Sequence, residues 1–348
     1  MKVLVATDDA TFSVGLTNEY RHQGFDVQSG LANLFLTQQN FDLIHCHWPE
    51  EIAHWRVPPD PVLVGQIIAC LDWWREQTKL VCSVHNLLPH RAAHDARASY
   101  EYYQEFMLRM HHIGHFSETS REEMIRMYPS VPAERHFVHG MNLFPEIGRL
   151  SLGRDAARRQ FGFSSDRFVV GLFGQLRLSE EVELLQTGLD LARRVKPKVL
   201  FASRLPSNWG SRRSVLKRIA HRRWQRRNDV MDLSGYLSDE QTAAFFDAVD
   251  VVIVPRFGRH LNSGLMPLAM TFGTPLAAPD YGVYREYLAG SGNALYEPGD
   301  AKALALAIEH LATQPLEQLR KANQARSTDW GWPNIVKRIV ATAGLALE

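Results

Sequence analysis

Residues 168–181 read FVVGLFGQLRLSEE, which is an apolar, β-branched run followed by a glycine-containing turn and the start of an amphipathic stretch. This order of strand, turn and helix is half of a βαβ unit, and repeated βαβ units form a parallel sheet. The same order occurs earlier in the chain, where FDLIHCHWPE (41–50) precedes an amphipathic stretch at Val62–Trp74. The two segments predict an α/β fold.

The same alternation continues along the whole chain. It predicts strands at Val3–Ala6, Phe41–Cys46, Leu80–Val84, Ile113–Phe116, Phe168–Phe173, Val199–Ala202, Val230–Leu233, Val251–Pro255 and Pro275–Ala278. It predicts helices at Val62–Trp74, Ala96–Met110, Glu181–Arg194, Asp239–Ala248, Gly264–Phe272 and Ala301–Ala312. A glycine- and proline-containing segment at 140–152 interrupts the pattern, which favours two doubly wound domains, 1–145 and 153–330, over one long sheet.

Composition and length agree with two folded domains. The chain has 348 residues, of which 45% are hydrophobic and 22% charged, a balance that argues against disorder. Lys and Arg number 39 against 38 Asp and Glu, so no overall charge favours a nucleic-acid partner. The three cysteines are too few and scattered for a disulfide framework. The apolar run after Lys2 ends at Asp8, too early for a signal peptide, and no run approaches the roughly 20 apolar residues of a membrane span. We expect a cytoplasmic protein, with peripheral attachment to the inner face of the plasma membrane as an option.

Histidines and a carboxylate follow two of the predicted strands in the first half. His47 and Glu50 come after one strand, and His85 and His90 come after the next. Ligands of doubly wound sheets bind beyond the carboxyl ends of strands, so these side chains are candidates for a general base or a sugar-hydroxyl clamp. The alternative is that the imidazoles cap strands and bond to backbone carbonyls. The spacing gives no close set of ligands for zinc.

Glycines and arginines follow two strands in the second half. Gly174 and Arg177 lead into one helix, and Arg256, Arg259 and the segment 262–264 lead into another. Helix N-termini offer unpaired N–H groups to anions, and guanidinium groups bind phosphates in a bidentate manner. Together these features suit a diphosphate, although ordinary glycine-rich loops remain the alternative.

The segment 211–228, SRRSVLKRIAHRRWQRRN, is strongly basic from Arg212 to Arg227. Val215, Leu216, Ile219 and Trp224 supply an apolar side. The pattern is typical of a helix on an anionic membrane surface, and a nucleic-acid patch is less favoured because no second basic cluster accompanies it. A solvated basic face and an oligomer surface stay open.

The ordered set of motifs resembles GT-B glycosyltransferases, in particular bacterial exopolysaccharide enzymes of the xanthan β-mannosyltransferase type. The matching segments are FDLIHCHWPE (41–50), SVHNLLPH (83–90), GQLR (174–177), DLSGYLSDEQ (232–241), NSG (262–264), LAMTFGTPLAAP (268–279) and ALYEPGDAKALALAI (294–308). The resemblance implies two Rossmann-like domains with an interdomain cleft. It also implies that a C-terminal helix within 331–348 packs back toward the first domain.

The same resemblance implies roles for individual residues. In the first half, His85 would face the donor sugar, with His47, Glu50 and His90 lining the cleft and Glu50 or His85 acting as the base. In the second half, the implied donor site holds the diphosphate, the nucleotide base and the sugar of the donor. Its residues are Gly174, Arg177, Tyr236, Leu237, Arg256, Arg259, Asn262, Ser263 and Gly264.

Two departures from the family pattern bear on mechanism. Leu268 stands where retaining relatives carry the second glutamate of Glu-x7-Glu, which favours inversion. Glu180 stands where a lysine is usual. Its carboxylate turns away, or Arg256 or Arg259 supplies the missing charge, or the donor site is impaired; we favour replacement of the charge. The absence of an Asp-x-Asp motif implies a metal-independent reaction without a cofactor other than the nucleotide sugar.

The implied activity is transfer of a hexose from a nucleotide diphosphate sugar to a glycan or lipid-linked oligosaccharide in polysaccharide biosynthesis. GDP-mannose is the donor expected first. Three alternatives stay open at this point: a retaining transferase with a UDP-sugar donor, a non-catalytic protein of the same fold that binds a nucleotide or a partner, and an epimerase.

Overall fold

The computed structural model describes residues 1–89, 96–192, 194–206, 209, 214–233, 235, 237–257 and 261–345. The chain forms two compact units. The N-terminal unit comprises Met1–Asn142, Leu261, Asn262 and the C-terminal segment from Trp330. The C-terminal unit contains Leu143 to Phe257 and Ser263–Asp329.

The N-terminal unit contains a six-stranded parallel sheet in the order β2–β1–β3–β4–β5–β6. Its strands are β1 (Lys2–Ala6), β2 (Asp26–Ser29), β3 (Leu43–Cys46), β4 (Lys79–Ser83), β5 (His112–His115) and β6 (His136–Val138). Its helices are α1 (Ala10–His22), α2 (Pro49–Ile52), α3 (Pro61–Arg75), α4 (Ala96–Arg109), α5 (Glu118–Met127) and α15 (Trp332–Thr342), with short 3-10 turns at Leu31–Phe35 and Ala133–Arg135. Cys46 pairs in register with Cys82, so β3 and β4 end side by side.

Side chains of this sheet alternate between two apolar layers. Leu4, Ile44 and Leu80 face the layer that contains α3 and α4. Val3 and Leu43 face the opposite layer, which contains α1 and α15. The alternation follows from the two-residue period of a strand, and burial on both faces explains why the strands read as continuous apolar runs.

Helix α15 is an integral part of the N-terminal unit. Its buried side chains are Trp332, Ile335, Val336, Ile339 and Val340. Gly15 of α1 allows the two helices to approach, because a Cβ atom at this position would lie 2.3 Å from Nε1 of Trp332.

The C-terminal unit repeats the architecture, with a parallel sheet in the order β12–β11–β10–β7–β8–β9. Its strands are β7 (Val169–Gln175), β8 (Lys198–Arg204), β9 (Val230–Asp232), β10 (Val251–Ile253), β11 (Leu276–Pro279) and β12 (Ala294–Tyr296). Its helices are α6 (Pro145–Gly148), α7 (Arg154–Gln160), α8 (Ser179–Leu191), α9 (Val215–Arg227), α10 (Asp239–Ala248), α11 (Leu265–Thr271), α12 (Gly282–Leu288), α13 (Ala301–Ala312) and α14 (Leu316–Arg326). The predicted α/β class with two doubly wound parallel sheets is confirmed.

Candidate functional site

The carboxyl edge of the N-terminal sheet brings His47 and His85 together. His47 follows β3, His85 follows β4, and Nδ1 of His47 lies 3.0 Å from Nε2 of His85. The indole of Trp48 stacks on the His85 ring with 3.9 Å between centroids, and Phe12 of α1 meets that ring edge-on at 4.7 Å. The two histidines thus form one hydrogen-bonded pair enclosed by aromatic rings.

Burial sets the protonation state of this pair. Desolvation, with repulsion from neighbouring imidazoles, holds the pKa of His47 and of His85 well below the usual value for histidine. Both rings are therefore neutral near pH 7, and one of them donates the shared hydrogen. His47 is buried, and its Nε2 has no partner among the described residues, whereas His85 keeps part of its surface exposed. His85 is thus the accessible member of the pair.

Glu50 lies on α2 with both carboxylate oxygens engaged. Oε1 accepts a 2.8 Å hydrogen bond from the Asn86 side chain, and Oε2 accepts one from the hydroxyl of Tyr103 on α4. Burial raises the pKa of Glu50, and the two hydrogen bonds oppose that shift. The carboxylate connects α2, α4 and the loop after β4, and only 4% of the residue is exposed.

A second set of polar groups in this unit was not predicted from the sequence. Nδ1 of His139 lies 2.9 Å from the Gly140 carbonyl, which only accepts, so Nδ1 carries the hydrogen. Burial lowers the pKa of His139 to about 4, so the ring is neutral and its Nε2 accepts from the Ser83 hydroxyl at 3.0 Å. Ser83 then accepts from Nε2 of His45, and Nδ1 of His45 accepts from the Tyr20 hydroxyl. We call Tyr20, His45, Ser83 and His139 the buried histidine chain. The Gly140 carbonyl fixes the direction in which each of its hydrogen bonds is donated.

The carboxyl edge of the C-terminal sheet carries the predicted glycine and arginines. Gly174 is the penultimate residue of β7 and has φ of 92°, a left-handed value that favours glycine. The Glu181 carboxylate is fully buried at the start of α8, and it accepts from the backbone N–H groups of Arg177 at 2.5 Å and Leu178 at 3.3 Å. Arg256 pairs with Glu181 at 3.2 Å and donates to the Gln175 carbonyl at 2.8 Å. Glu181 therefore occupies two amides expected to be open to an anion.

No role was predicted for Glu181 from the sequence, whereas the Glu180 carboxylate was expected to matter for the diphosphate. The side chain of Glu180 is exposed, so it turns away from the cluster, which is one of the three outcomes expected for it. A glutamate in the first turn that reaches back to a backbone N–H is a known helix-capping device. The position of Glu181 in the first turn of α8 was thus the available signal.

Arg177 and Arg256 influence each other through space. Desolvation lowers the pKa of Arg177, and repulsion from Arg256 adds to the shift, while Glu181 opposes it. Tyr284 of α12 is buried beside them, and its hydroxyl bonds to the Ser263 side chain. We call Arg177, Glu181, Arg256, Ser263 and Tyr284 the arginine cluster. It holds two guanidinium groups against one buried carboxylate, so it is suited to an added anion.

The remaining candidates lie in both units. Asn262 belongs to the N-terminal unit, where its Nδ2 donates to the carbonyls of Val84 at 3.0 Å and His85 at 3.2 Å. Gly264 directly precedes α11. Leu237 is half-buried before α10. The residues His90, Tyr236, Arg259, Arg212 and Arg213 lie outside the described residues.

Helix α9 has an inner and an outer face. Trp224, expected beside Val215, Leu216 and Ile219, is instead buried, and its indole N–H donates to Asp190 at 3.0 Å. The correction follows from helical spacing, because Trp224 and His221 lie three residues apart and both face the unit's interior. The exposed outer face combines apolar and cationic side chains: Val215, Leu216, Ile219, Arg222, Arg223 and Arg226.

Among the described residues, no helix is both long and apolar enough to cross a membrane. No group of three or more His, Cys, Asp or Glu side chains in that part of the chain is placed to hold a metal ion.

Comparison with known proteins identifies the fold. No protein-family model and no curated protein matches the chain in sequence. Among solved structures, HepE of Anabaena in complex with UDP and glucose is similar over 99% of both chains, with a TM-score of 0.73 and 16% identity. Sucrose-phosphate synthase of Thermosynechococcus elongatus is similar over 98% of this chain and 97% of its own, with a TM-score of 0.71 and 15% identity. A glycosyltransferase of Rickettsia africae gives a TM-score of 0.70 at 11% identity, over 98% of this chain and 97% of its own. The chain therefore has the GT-B fold.

Proposed function

We propose that this chain is a glycosyltransferase that moves a hexose from a nucleoside diphosphate sugar to a hydroxyl group of a glycan or lipid-linked oligosaccharide, in polysaccharide biosynthesis. The observation that carries the proposal is the arginine cluster at the carboxyl edge of a doubly wound sheet. Structures with the same fold support it, since HepE is described in complex with UDP and with UDP-glucose.

The arginine cluster would bind the diphosphate and stabilise it as the leaving group. Arg177 and Arg256 repel each other in the free protein, and an anion between them relieves that repulsion. Glu181 holds Arg256 by a charge-assisted hydrogen bond, so the guanidinium is fixed in position before the ligand arrives. Ser263 and Gly264 at the start of α11 would supply further polar contacts.

His85 is the base that we propose for the acceptor hydroxyl, with Glu50 in a supporting role. Burial disfavours the protonated form of His85 and keeps its imidazole neutral, so the ring carries an unprotonated nitrogen, and the residue keeps part of its surface exposed. Both Glu50 oxygens instead hold Asn86 and Tyr103, so we assign Glu50 to positioning the loop that carries His85. His47, bonded to His85, would orient its ring.

We propose GDP-mannose as one donor to test first, on the family resemblance, and UDP-glucose as the other, on the solved structures of this fold. We propose inversion of the anomeric centre, because Leu268 stands at the place of the second glutamate of retaining relatives. NMR analysis of the product anomer separates inversion from retention.

We further propose that the protein works without a metal ion or cofactor, in the cytoplasm, and docks on the inner face of the plasma membrane through the outer face of α9. The three exposed arginines of that face match the negative charge of anionic lipids, and Leu216 is 79% exposed and able to enter the headgroup region.

The test is a thermal-shift panel with UDP, GDP and their hexose conjugates, followed by transfer assays. A ligand present at 100 times its Kd stabilises the fold by about 2.7 kcal/mol. We expect Arg177→Ala to weaken nucleotide binding by about 10- to 100-fold, the effect of one charge-assisted hydrogen bond. Arg285→Ala is the matched control, since Arg285 is an exposed arginine of the same unit, paired with Asp280 at 2.7 Å.

Each outcome has a distinct meaning. Absence of stabilisation by every nucleotide contradicts the proposal, as does equal binding by the Arg177→Ala variant and the wild type. Nucleotide binding without transfer or hydrolysis identifies the non-catalytic alternative, and release of free sugar or its 2-epimer without an acceptor identifies an epimerase.

A further inference from the structure

Trp55 is an apolar side chain at an unusual place in the N-terminal unit. The chain has eight tryptophans, all within the described residues, and Trp55 alone among them is exposed, with 57% of its surface accessible. Exposure of so large an aromatic ring forgoes the stabilisation that burial would bring. A surface ring that the fold holds in place is therefore a candidate contact for a ligand.

The backbone at Trp55 adopts an uncommon conformation that hydrogen bonds hold. His54 and Trp55 both adopt left-handed φ values, 56° and 57°, which are uncommon and strained for bulky residues. The strained turn is held by hydrogen bonds from the Trp55 N–H to the Glu50 carbonyl at 2.6 Å and from the His54 N–H to the Glu51 carbonyl at 2.9 Å. The chain thus maintains a costly conformation that presents an indole to solvent.

Trp55 continues a row of rings that ends at His85. Its centroid lies 6.2 Å from that of Trp48, and Trp48 in turn stacks on His85 at 3.9 Å. We call Trp55, Trp48 and His85 the aromatic row. It runs from an exposed indole to the imidazole that we propose as the base.

We propose that the aromatic row binds a pyranose ring of the acceptor, which stacks on Trp55 and extends toward His85. The C–H groups on one face of a pyranose carry slight positive charge, and the face of an indole carries negative charge, so the two attract as well as exclude water. The placement of the reacting hydroxyl near His85 rests on the proposed function, whereas sugar binding by Trp55 does not.

The surroundings of Trp55 favour a sugar over other occupants. The nearby cation, Arg56, is paired with Asp60 at 3.3 Å, so no basic cluster among residues 47–62 attracts an anionic lipid or a phosphate. Exposed His54 and Arg56 flank the indole in the sequence and provide hydrogen-bonding groups. An apolar plate with a few polar groups beside it matches the two-sided character of a carbohydrate.

The experiment is saturation-transfer-difference NMR and titration calorimetry of the full chain with cellobiose, maltose and mannobiose, without nucleotide and with UDP or GDP. Mannitol, an acyclic polyol, is the control ligand because it lacks a ring face. We expect millimolar binding of at least one disaccharide, weakened about 10-fold or more by Trp55→Ala and largely restored by Trp55→Tyr. Phe35→Ala, which removes another exposed aromatic ring of the same unit, leaves binding unchanged.

Several results would overturn the inference. These are equal binding by Trp55→Ala and wild type, binding of mannitol as strong as that of the disaccharides, or no binding of any disaccharide at about ten times a millimolar Kd. Loss of vesicle binding in Trp55→Ala would reassign the ring to a membrane contact. Trp55-dependent sugar binding in a protein that binds no nucleotide would uphold this inference and reject the proposed function, and the opposite pattern would do the reverse.

Discussion

Individual imidazoles in the N-terminal unit are held neutral by the fold, and this has a thermodynamic consequence. His139 has a pKa of about 4 in the folded chain, against about 6.5 when unfolded. Between these values the unfolded state binds more protons than the folded state, so the free energy of unfolding falls as pH falls from 6.5 to 4. The contribution is fully present above pH 6.5 and is lost below pH 4. The pKa of His45, the other histidine of the buried histidine chain, is lowered as well.

We therefore expect denaturant unfolding to show lower stability at pH 5 than at pH 7, by about 1.4 kcal/mol for each pH unit over which one such histidine titrates. His139→Gln should reduce this pH dependence, since glutamine does not titrate. Gln77→Ala, which removes an exposed side chain that does not titrate, is the control and should leave the slope unchanged. An unchanged slope in His139→Gln would contradict the assignment.

At the scale of elements, two helical glycines have opposite surroundings. A Cβ atom at Gly15 of α1 would meet the Trp332 ring at 2.3 Å, so Gly15→Ala forces the packing of α1 and α15 apart. We expect a loss of about 1–3 kcal/mol, which exceeds the gain in helix propensity. Gly65 of α3 has no atom within 4 Å of an added Cβ, so Gly65→Ala should stabilise by about 0.5–1 kcal/mol. Chemical denaturation of both variants measures the change in the free energy of unfolding, which should be negative for Gly15→Ala and positive for Gly65→Ala. Changes of the same sign and size in both variants would refute the packing argument.

Elements were predictable from the sequence where their apolar runs were long. The strands β2, β6 and β12 were not predicted, because DVQS, HFV and ALY are too short or too polar to stand out from loops. Histidine pairing at the ends of β3 and β4 was predictable, since parallel strands end at one edge. The roles of Glu181 and Trp224 were not predictable, because each depends on which side of its helix faces the interior of the unit.

For the molecule as a whole, the distribution of exposed cations leads to a membrane prediction. The outer face of α9 combines Arg222, Arg223 and Arg226 with exposed Leu216. Each basic residue near an anionic surface contributes about 1 kcal/mol, so replacing the three arginines with glutamine should weaken vesicle binding by about 100-fold. The measurement is co-sedimentation with phosphatidylglycerol-containing vesicles at low and high salt. Arg97→Gln, which replaces an exposed arginine of the other unit, should have no effect on vesicle binding. Vesicle binding that changes neither with salt nor with the triple substitution would exclude α9 as the contact.

Because α15 contributes with α1 to one apolar layer of the N-terminal sheet, that layer stays incomplete during translation until residues 332–342 have been synthesised. About 190 residues separate Asn142 from Trp332, and at ribosomal rates of 5–20 residues per second their synthesis takes roughly 10–40 s. For that interval the layer that packs on Val3, Val5 and Leu43 lacks the side chains of α15 and has only those of α1 and its neighbours. A chaperone that shields this face until α15 has been synthesised would raise the yield of native protein.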